Sequence, residues 1–276
     1  MLNVFNYSFM VNALIVGVLI AVCCALLGVV LVLKRFSMIG DGLSHVGFGA
    51  LSVAAVLNFS APLYFSLPVV MAAAFFLLRI TQNSKINADA AIAVISSSAL
   101  ALGVFLASVN GTNINLQQYM FGSILSISET DIAVSIALSV VVISLYVLFY
   151  NKIFTITFDE TFSGATGIRT RLYNTAISLL TAVTIVIGMR MLGTLLISAM
   201  IIFPALTSMR LCKRFFTVVV TSVCVSVCCV TAGLLTSFTC EGIPVSSTIV
   251  LCNLLLFAVF SLLSVGKKLI NKKKSN

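Results

Sequence analysis

The single histidine of the chain lies four residues after an aspartate, in the segment MIGDGLSHVGFGALSV at positions 38–53. Side chains four residues apart on an α-helix share one face, so Asp41 and His45 can act on the same ligand. A carboxylate oxygen and an imidazole nitrogen are both suitable ligands for Zn²⁺ and Mn²⁺. Two ligands leave a site incomplete, and water, another helix or the ion's own hydration shell would complete it. The pair therefore predicts transient contact with a metal ion in passage.

The segment around this pair is otherwise apolar, which indicates a membrane-spanning helix. An ionisable side chain within a bilayer costs about 2.5–3.5 kcal/mol or more unless it faces a partner or a wet cavity. Asp41 and His45 should therefore point into protein or into an aqueous path. Phe48 and Ser52 continue the same face and are predicted to line that path. A purely structural Asp–His pair and a proton relay are the alternatives that the residue types leave open.

The composition of the whole chain requires a membrane protein. Of 276 residues, 61% are hydrophobic and only 8% are charged, whereas soluble domains carry about 25% charged residues. The apolar surplus must face lipid, so we expect an all-α polytopic bundle that forms one transmembrane domain over residues 1–276. The net charge of +9 does not indicate nucleic-acid binding, because the basic residues are scattered between apolar runs.

Nine apolar runs are long enough to cross a bilayer, for which about 20 residues are needed. Their approximate bounds are 9–33, 38–57, 62–80, 88–109, 131–150, 172–189, 191–209, 215–237 and 246–266. The last run could instead be a broken helix, which would leave eight spans. Arg190 alone separates the sixth run from the seventh, which predicts a tight hairpin there. The first run has no cleavage site and is predicted to be a retained span.

The basic residues predict the orientation of the chain in the membrane. All but one of the 16 Lys and Arg residues fall in alternate connections or in the Lys-rich tail, and Arg190 is the exception. Because cytoplasmic loops are enriched in Lys and Arg, the side that carries these residues is predicted to be cytoplasmic. The N-terminus is then outside and the C-terminus inside the cell.

Two connections are more than simple turns. The external stretch NGTNINLQQYMFGSILSIS at 110–128 contains an apolar portion that is too short to span, and a re-entrant or interfacial segment is predicted at about 116–128. The cytoplasmic stretch TITFDETFSGATGIRTR at 155–171 predicts a short helix-like unit with glycine stops. A polar, acidic unit of this kind is a candidate docking surface, with a solvated linker as the alternative. Its candidate contact residues are Phe158, Asp159, Glu160, Gly164 and Gly167.

Eight cysteines lie mostly within apolar runs, where cysteine usually behaves as a small hydrophobic residue. Cys224 and Cys228 are four residues apart and share a helix face. A thiolate metal site at this pair is conceivable, but no CxxC pair or matching histidine accompanies it. We therefore expect these thiols to be packing residues.

Several segments together resemble the bacterial metal-ion ABC transporter permeases of the ABC-3 family, zinc and manganese type. Positions 37–45 are similar to the family's GD-x-LSH signature, and 193–205 (GTLLISAMIIFPA) to its GTLL-x-SALLI-x-PA segment. Positions 119–123 resemble its LFG element, and Phe158, Asp159 and Glu160 followed by Gly167 its coupling-loop pattern. The matches occur in family order. Residues 244–248 (PVSST) depart from the family by lacking a glycine.

The resemblance implies a homodimer around a central path in the bacterial plasma membrane, with Asp41 and His45 contacting the ion in transit. It also implies a cytoplasmic ATP-binding subunit docked on the 155–171 loop and an extracytoplasmic metal-binding protein that delivers the ion. The resemblance ranks the transported metal as zinc first, then manganese, then iron. No cofactor is expected on this chain, and membrane lipid surrounds it.

The sequence predicts no enzyme activity in this chain. It contains no GxxxxGK[ST] phosphate loop, so ATP must be hydrolysed on a separate subunit. Two other functions remain open. One is a secondary carrier driven by protons that titrate at Asp41 and His45. The other is a membrane scaffold in which the pair is only structural.

Overall fold

The computed structural model describes residues 8–59, 62–83, 88–109, 122, 127–240 and 243–275, and all regular secondary structure within these ranges is helical. Most of the helices are long and apolar, as the composition requires. In chain order they are α1 Ser8–Leu33, α2 Ile39–Val56, α3 Pro62–Asn83, α4 Ala88–Val109, α5 Glu129–Leu148, α6 Tyr150–Phe158, α7 Glu160–Ala165, α8 Thr170–Leu192, α9 Thr194–Leu211, α10 Phe215–Thr239 and α11 Val245–Ser275.

The described helices confirm an all-α polytopic bundle. Eight of them are long and apolar enough to cross a membrane: α1, α2, α4, α5, α8, α9, α10 and α11. Helix α3 lies where a further span was predicted, but its apolar stretch is the shorter Phe65–Leu77. Helix α11 is continuous from Val245 to Ser275, so the alternative of a broken last helix is wrong.

Helix α1 lies at the centre of the bundle. It packs against α5, α8, α9 and α10, and residues such as Ala13, Val16 and Ile20 are fully buried. A helix that is hydrophobic on all sides is expected in such a position. Gly28 brings its backbone against the carbonyl of Ile201 on α9, where a side chain would collide.

Small residues seat α2, the helix of the Asp–His pair, tightly against α4. A Cβ atom on Gly49 would lie 2.7 Å from the carbonyl oxygen of Ala99, and one on Gly103 would lie 2.8 Å from the Phe48 ring. Gly42 faces Ile92 in the same way. Glycine at such positions lets two membrane helices approach until their backbones touch. Helix α4 therefore fixes the position of α2.

The hairpin between α8 and α9 is centred on Gly193, not on Arg190 as predicted. Arg190 belongs to the last turn of α8, and Gly193 is the only residue between the two helices. Gly193 has φ 88° and ψ 157°, a backbone conformation that is open to glycine and strained for other residues. The apolar pattern continues through Arg190, so the reversal occurs where the backbone permits it.

Side-chain contacts define the two ends of the bundle. At one end Lys34, just after α1, meets Glu160 of α7, and the ring of Phe215 at the start of α10 contacts those of Tyr150 and Phe154. At the other end Arg190 pairs with Asp131 at the start of α5, with Nη1 and Oδ1 3.4 Å apart. We call these the basic end and the opposite end, because the connections after α1, α7 and α9 carry Lys and Arg.

Candidate functional site

Helix α2 brings Asp41 and His45 together on one face near the basic end. Asp41 lies in the first turn, where the partial positive charge of the helix N-terminus stabilises a carboxylate. His45 follows one turn later, with its Nε2 atom 3.5 Å from Oδ2 of Asp41. The two side chains retain 46% and 26% of their accessible surface. They therefore form an open, polar pair on a helix long enough to span a membrane.

The rest of α2 around the pair is closed. Gly40, Gly42, Leu43 and Ser44 are all buried, and the Ser44 hydroxyl donates to the carbonyl oxygen of Gly40 at 2.8 Å. The exposed surface of this part of the helix is thus concentrated on its only two ionisable groups. This arrangement is opposite to that of a lipid-facing helix, which exposes apolar side chains and buries polar ones.

Phe48 and Ser52 continue the face of Asp41 and His45, but both side chains are buried. Phe48 is 2% exposed and packs against Gly103. Ser52 is fully buried, and its hydroxyl donates to the carbonyl oxygen of Phe48 at 3.0 Å. In this conformation both side chains are covered, because the buried part of the face begins one turn beyond His45. Their path-lining role stays a prediction.

One copy of the chain supplies only two of the ligands that a metal ion needs. Within the described residues no group of three or more His, Cys, Asp or Glu side chains is close enough to hold an ion. Cys224 and Cys228 both lie on the exposed face of α10, and the described structure brings no further ligand to them. The predicted re-entrant segment at 116–128 lies largely outside the described residues.

The predicted coupling loop forms two short helices, α6 and α7, at the basic end. Asp159 caps α7: its Oδ1 atom accepts from the backbone N–H of Phe162 at 2.9 Å and from the Thr161 hydroxyl at 2.6 Å. These hydrogen bonds hold the pKa of Asp159 below its ordinary value. Phe158 and Phe162 are 60% and 58% exposed. The loop thus presents a capped helical turn with an uncovered apolar surface.

The two glycines of this loop differ in their structural roles. Gly167 has φ 82° and follows the unit, as a glycine stop should. Gly164 lies inside α7, so its predicted role as a stop is wrong. Helix α7 is only six residues long, and its backbone hydrogen bonds continue past Gly164 to Thr166. Of the two glycines, only Gly167 therefore acts as a stop.

Sequence reasoning missed a polar cluster that joins the coupling loop to the end of α1 and to α8. Lys34 donates to Oδ1 of Asn174 on α8, and the Asn174 amide donates to Oε1 of Glu160 at 2.7 Å. The Lys34 ammonium lies 3.7 Å from Oε2 of Glu160. Burial lowers the pKa of Lys34, and the Glu160 carboxylate partly opposes that effect. The three side chains line a cavity of about 590 Å³.

These features define a polytopic helical membrane protein with a polar pair on a spanning helix and a short helical loop at one end. The chain belongs to the ABC 3 transport family, whose model matches residues 6–264. It is 28% identical to the manganese import system permease protein ScaB of Streptococcus gordonii, over 97% of this chain and 96% of that protein. It is 31% identical to a probable iron transport system membrane protein of Haemophilus influenzae, over 99% and 96%.

Two solved structures share the fold. PsaBC from Streptococcus pneumoniae in complex with Fab matches with a TM-score of 0.80 and 26% identity, covering 94% of this chain and 92% of that one. An inward-facing putative metal-chelate type ABC transporter matches with a TM-score of 0.68 and 16% identity, covering 91% and 85%, which supports the fold alone. The chain is therefore the permease of an ABC metal importer, a multi-pass membrane subunit that translocates its substrate without catalysing a reaction.

Proposed function

We propose that two copies of this chain form the path by which a divalent transition-metal ion enters the cell, and that Asp41 and His45 contact the ion in transit. The observation that carries this proposal is the exposed carboxylate and imidazole on a spanning helix. A charged group that faces lipid is costly, up to about 2.5–3.5 kcal/mol or more at the centre of a spanning helix. A second α2 helix opposite the first would cover this face and remove the cost.

Two facing pairs would offer the ion two imidazole nitrogens and two carboxylate groups. That set is sufficient for a four-coordinate ion, and water can extend it for a metal that prefers more oxygen ligands. Because each copy holds only half of the ligands, a small separation of the two helices would release the ion. The donor set thus supports passage better than permanent binding.

Manganese and iron are the metals that we favour as substrate. The two similar proteins described above are named for manganese and iron transport, whereas the family resemblance ranked zinc first. Imidazole and carboxylate accept all three ions, and affinity rises from Mn²⁺ to Zn²⁺ in most sites of this type. Zinc transport by the same path is the alternative that a direct uptake measurement distinguishes.

The basic end is proposed to face the cytoplasm, and α6 and α7 are proposed to dock an ATP-binding subunit there. The contact would be made by Phe158, Asp159, Glu160, Gly164 and Gly167. An exposed aromatic surface beside a capped helix supports docking to a protein groove. An extracytoplasmic metal-binding protein would deliver the ion at the opposite end.

Uptake by the complete transporter tests the role of the pair. In cells that express the chain with its ATP-binding subunit, Asp41→Asn and His45→Ala should each reduce uptake of radioactive manganese or iron by at least tenfold, since one lost ligand costs at least about 1.4 kcal/mol of ion stabilisation. Asp89→Asn is the matched control, because Asp89 is an exposed carboxylate in the first turn of α4. Normal uptake by folded Asp41 and His45 variants would overturn the proposed role of the pair and favour a purely structural Asp–His pair.

The energy source is tested in proteoliposomes. Uptake should require ATP on the side of the ATP-binding subunit and should persist when a protonophore collapses the proton gradient. Uptake without that subunit, abolished by the protonophore, would instead identify a proton-coupled carrier.

A further inference from the structure

An apolar groove of about 430 Å³ lies beside the coupling loop, between α1, α5 and α8. Its walls are formed by aliphatic side chains such as Leu27 of α1, Val142 of α5 and Leu180 of α8. Toward the basic end, the groove is bordered by the segment Thr166–Arg169 that follows α7. A cavity with such walls is suited to a hydrocarbon chain and unsuited to water.

The mouth of this groove is positively charged. Lys152 and Arg169 are its two charged residues, and no carboxylate lines it. The Lys152 ammonium lies 5.8 Å from the ring centroid of Phe149 and 5.5 Å from that of Tyr173, and both rings also line the groove. Contact with the two ring faces holds the charge at the mouth. Neither Lys152 nor Arg169 forms an ion pair with any carboxylate that the structure describes.

The N-terminus of α8 adds to this charge. Arg169 is the N-cap residue of α8, and its side chain makes no capping hydrogen bond. The partial positive charge at the start of this 23-residue helix therefore lies at the same mouth as the two cations. The neighbouring cavity offers a contrast, because there the carboxylate of Glu160 already neutralises Lys34.

The groove has apolar walls that suit a hydrocarbon chain, and its opening carries two basic residues without carboxylate partners in the described part of the chain. A ligand that fits both parts has an acyl chain and an anionic headgroup. Basic pockets between transmembrane helices at the membrane surface bind the headgroups of anionic lipids. Free phosphate could bind to Lys152 and Arg169 but would leave the apolar walls without a ligand. A zwitterionic lipid could pack its acyl chain against the walls but has no net charge to interact with the two basic residues. We propose that this groove binds an anionic phospholipid, with its phosphate at Lys152 and Arg169 and an acyl chain between α5 and α8.

A lipid in this position would contact the coupling loop directly. The segment from Thr166 to Arg169 joins α7 to α8 and forms part of the groove. Lipid occupancy would therefore restrain the end of the unit on which the ATP-binding subunit is proposed to dock. This restraint is a consequence of the site, and lipid binding itself does not depend on the proposed function.

Native mass spectrometry of the full chain in mild detergent tests the proposal. Phosphatidylglycerol should bind in preference to phosphatidylcholine, and Lys152→Ala with Arg169→Ala should reduce that preference by roughly tenfold or more, because each basic residue near a membrane surface contributes roughly a fivefold preference. The matched control replaces Arg210 and Lys213 by Ala. Both are exposed at the same end and neither lines the groove, so the preference should be retained.

A second variant tests the apolar part of the site without removing charge. Ala176 lines the groove, so Ala176→Phe should fill it and displace phosphatidylglycerol, whereas Ala133→Phe on the exposed face of α5 should not. Unfolded variants are recognised by their loss of the monodisperse peak in size-exclusion chromatography. Equal binding of phosphatidylcholine, an unchanged preference in the folded Lys152 and Arg169 variant, or displacement by millimolar inorganic phosphate would each overturn the proposal.

Discussion

At the scale of single residues, the cost of an unpaired charge explains two arrangements in this chain. Asp41 and His45 are partly exposed on a spanning helix, so another protein surface must shield them from lipid. Lys34, in contrast, pairs with a carboxylate of the same chain. The Lys34 ammonium is largely buried, with 13% of its side chain exposed, and Glu160 and Asn174 satisfy it. Both arrangements obey the rule that a charge away from water must be paired or hydrogen-bonded.

Removing the partner of Lys34 should destabilise the protein. Glu160→Gln leaves a buried ammonium without its carboxylate, and we expect a loss on the order of 1 kcal/mol, because Glu160 is itself half exposed. The double variant Lys34→Met with Glu160→Gln should recover much of the loss, since no buried charge then remains. Thermal unfolding of the detergent-purified chain measures both effects. A double variant less stable than Glu160→Gln would contradict this account.

The pH dependence of the Glu160→Gln variant has a defined sign. Burial already lowers the pKa of Lys34, and loss of the carboxylate should lower it further. Between the folded and the unfolded pKa of this lysine, the unfolded chain binds more protons, so stability rises with pH. The deficit of the variant relative to the original chain should therefore shrink as pH is raised from neutral toward the ordinary lysine pKa.

At the scale of elements, close contacts at glycine residues seat α2 against α4. The glycines Gly42, Gly49 and Gly103 allow α2 and α4 to touch at backbone distance. The sequence indicates close helix packing along α2, because small residues recur there at Gly40, Gly42, Ser44, Gly47 and Gly49. It could not identify α4 as the partner, since the spacing within one helix carries no information about which neighbour it meets.

Adding a methyl group at this contact should separate the helices. Gly49→Ala would place a Cβ atom 2.7 Å from the Ala99 carbonyl oxygen, and overpacking of this kind costs roughly 1–3 kcal/mol. Gly164→Ala is the matched control, because nothing lies within 4 Å of its Cβ position and alanine favours a helix more than glycine does. The unfolding temperature should fall for the first variant and stay level or rise for the second. The reverse order would disprove tight packing of α2 on α4.

At the scale of the whole molecule, hydropathy and charge predicted the positions of the helices well. They predicted poorly where the chain reverses and which side chains meet between helices. The run predicted at 88–109 is the helix Ala88–Val109, and the others agree to within a few residues, except that the last helix continues to Ser275, well beyond the predicted end at 266. The reversal at Gly193 was misplaced because hydropathy does not register backbone conformation. The cluster of Lys34, Glu160 and Asn174 was missed because its members are far apart in sequence.

Reporter fusions test the orientation of the whole bundle. Because nearly all Lys and Arg residues fall in alternate connections of the sequence or in its Lys-rich tail, the C-terminus should be cytoplasmic. A green fluorescent protein fused there should fluoresce, and alkaline phosphatase should be inactive. The matched fusion after Val109 should give the opposite pair of results, because α4 ends on the other side. Phosphatase activity at the C-terminus would invert the proposed direction of transport.

The central position of α1 has a consequence for biogenesis. It is the first of the described helices to be synthesised, yet α9 and α10, two of its principal neighbours, are among the last. Ser8–Leu33 contains no charged side chain, so this helix can wait in the bilayer at little cost while translation continues. Helix α2 carries Asp41 and His45, and its packing partner α4 follows after a single intervening helix. The order of synthesis thus separates α1, which is apolar, from its packing partners for the longest time. Helix α2, which carries two ionisable side chains, meets its partner α4 early.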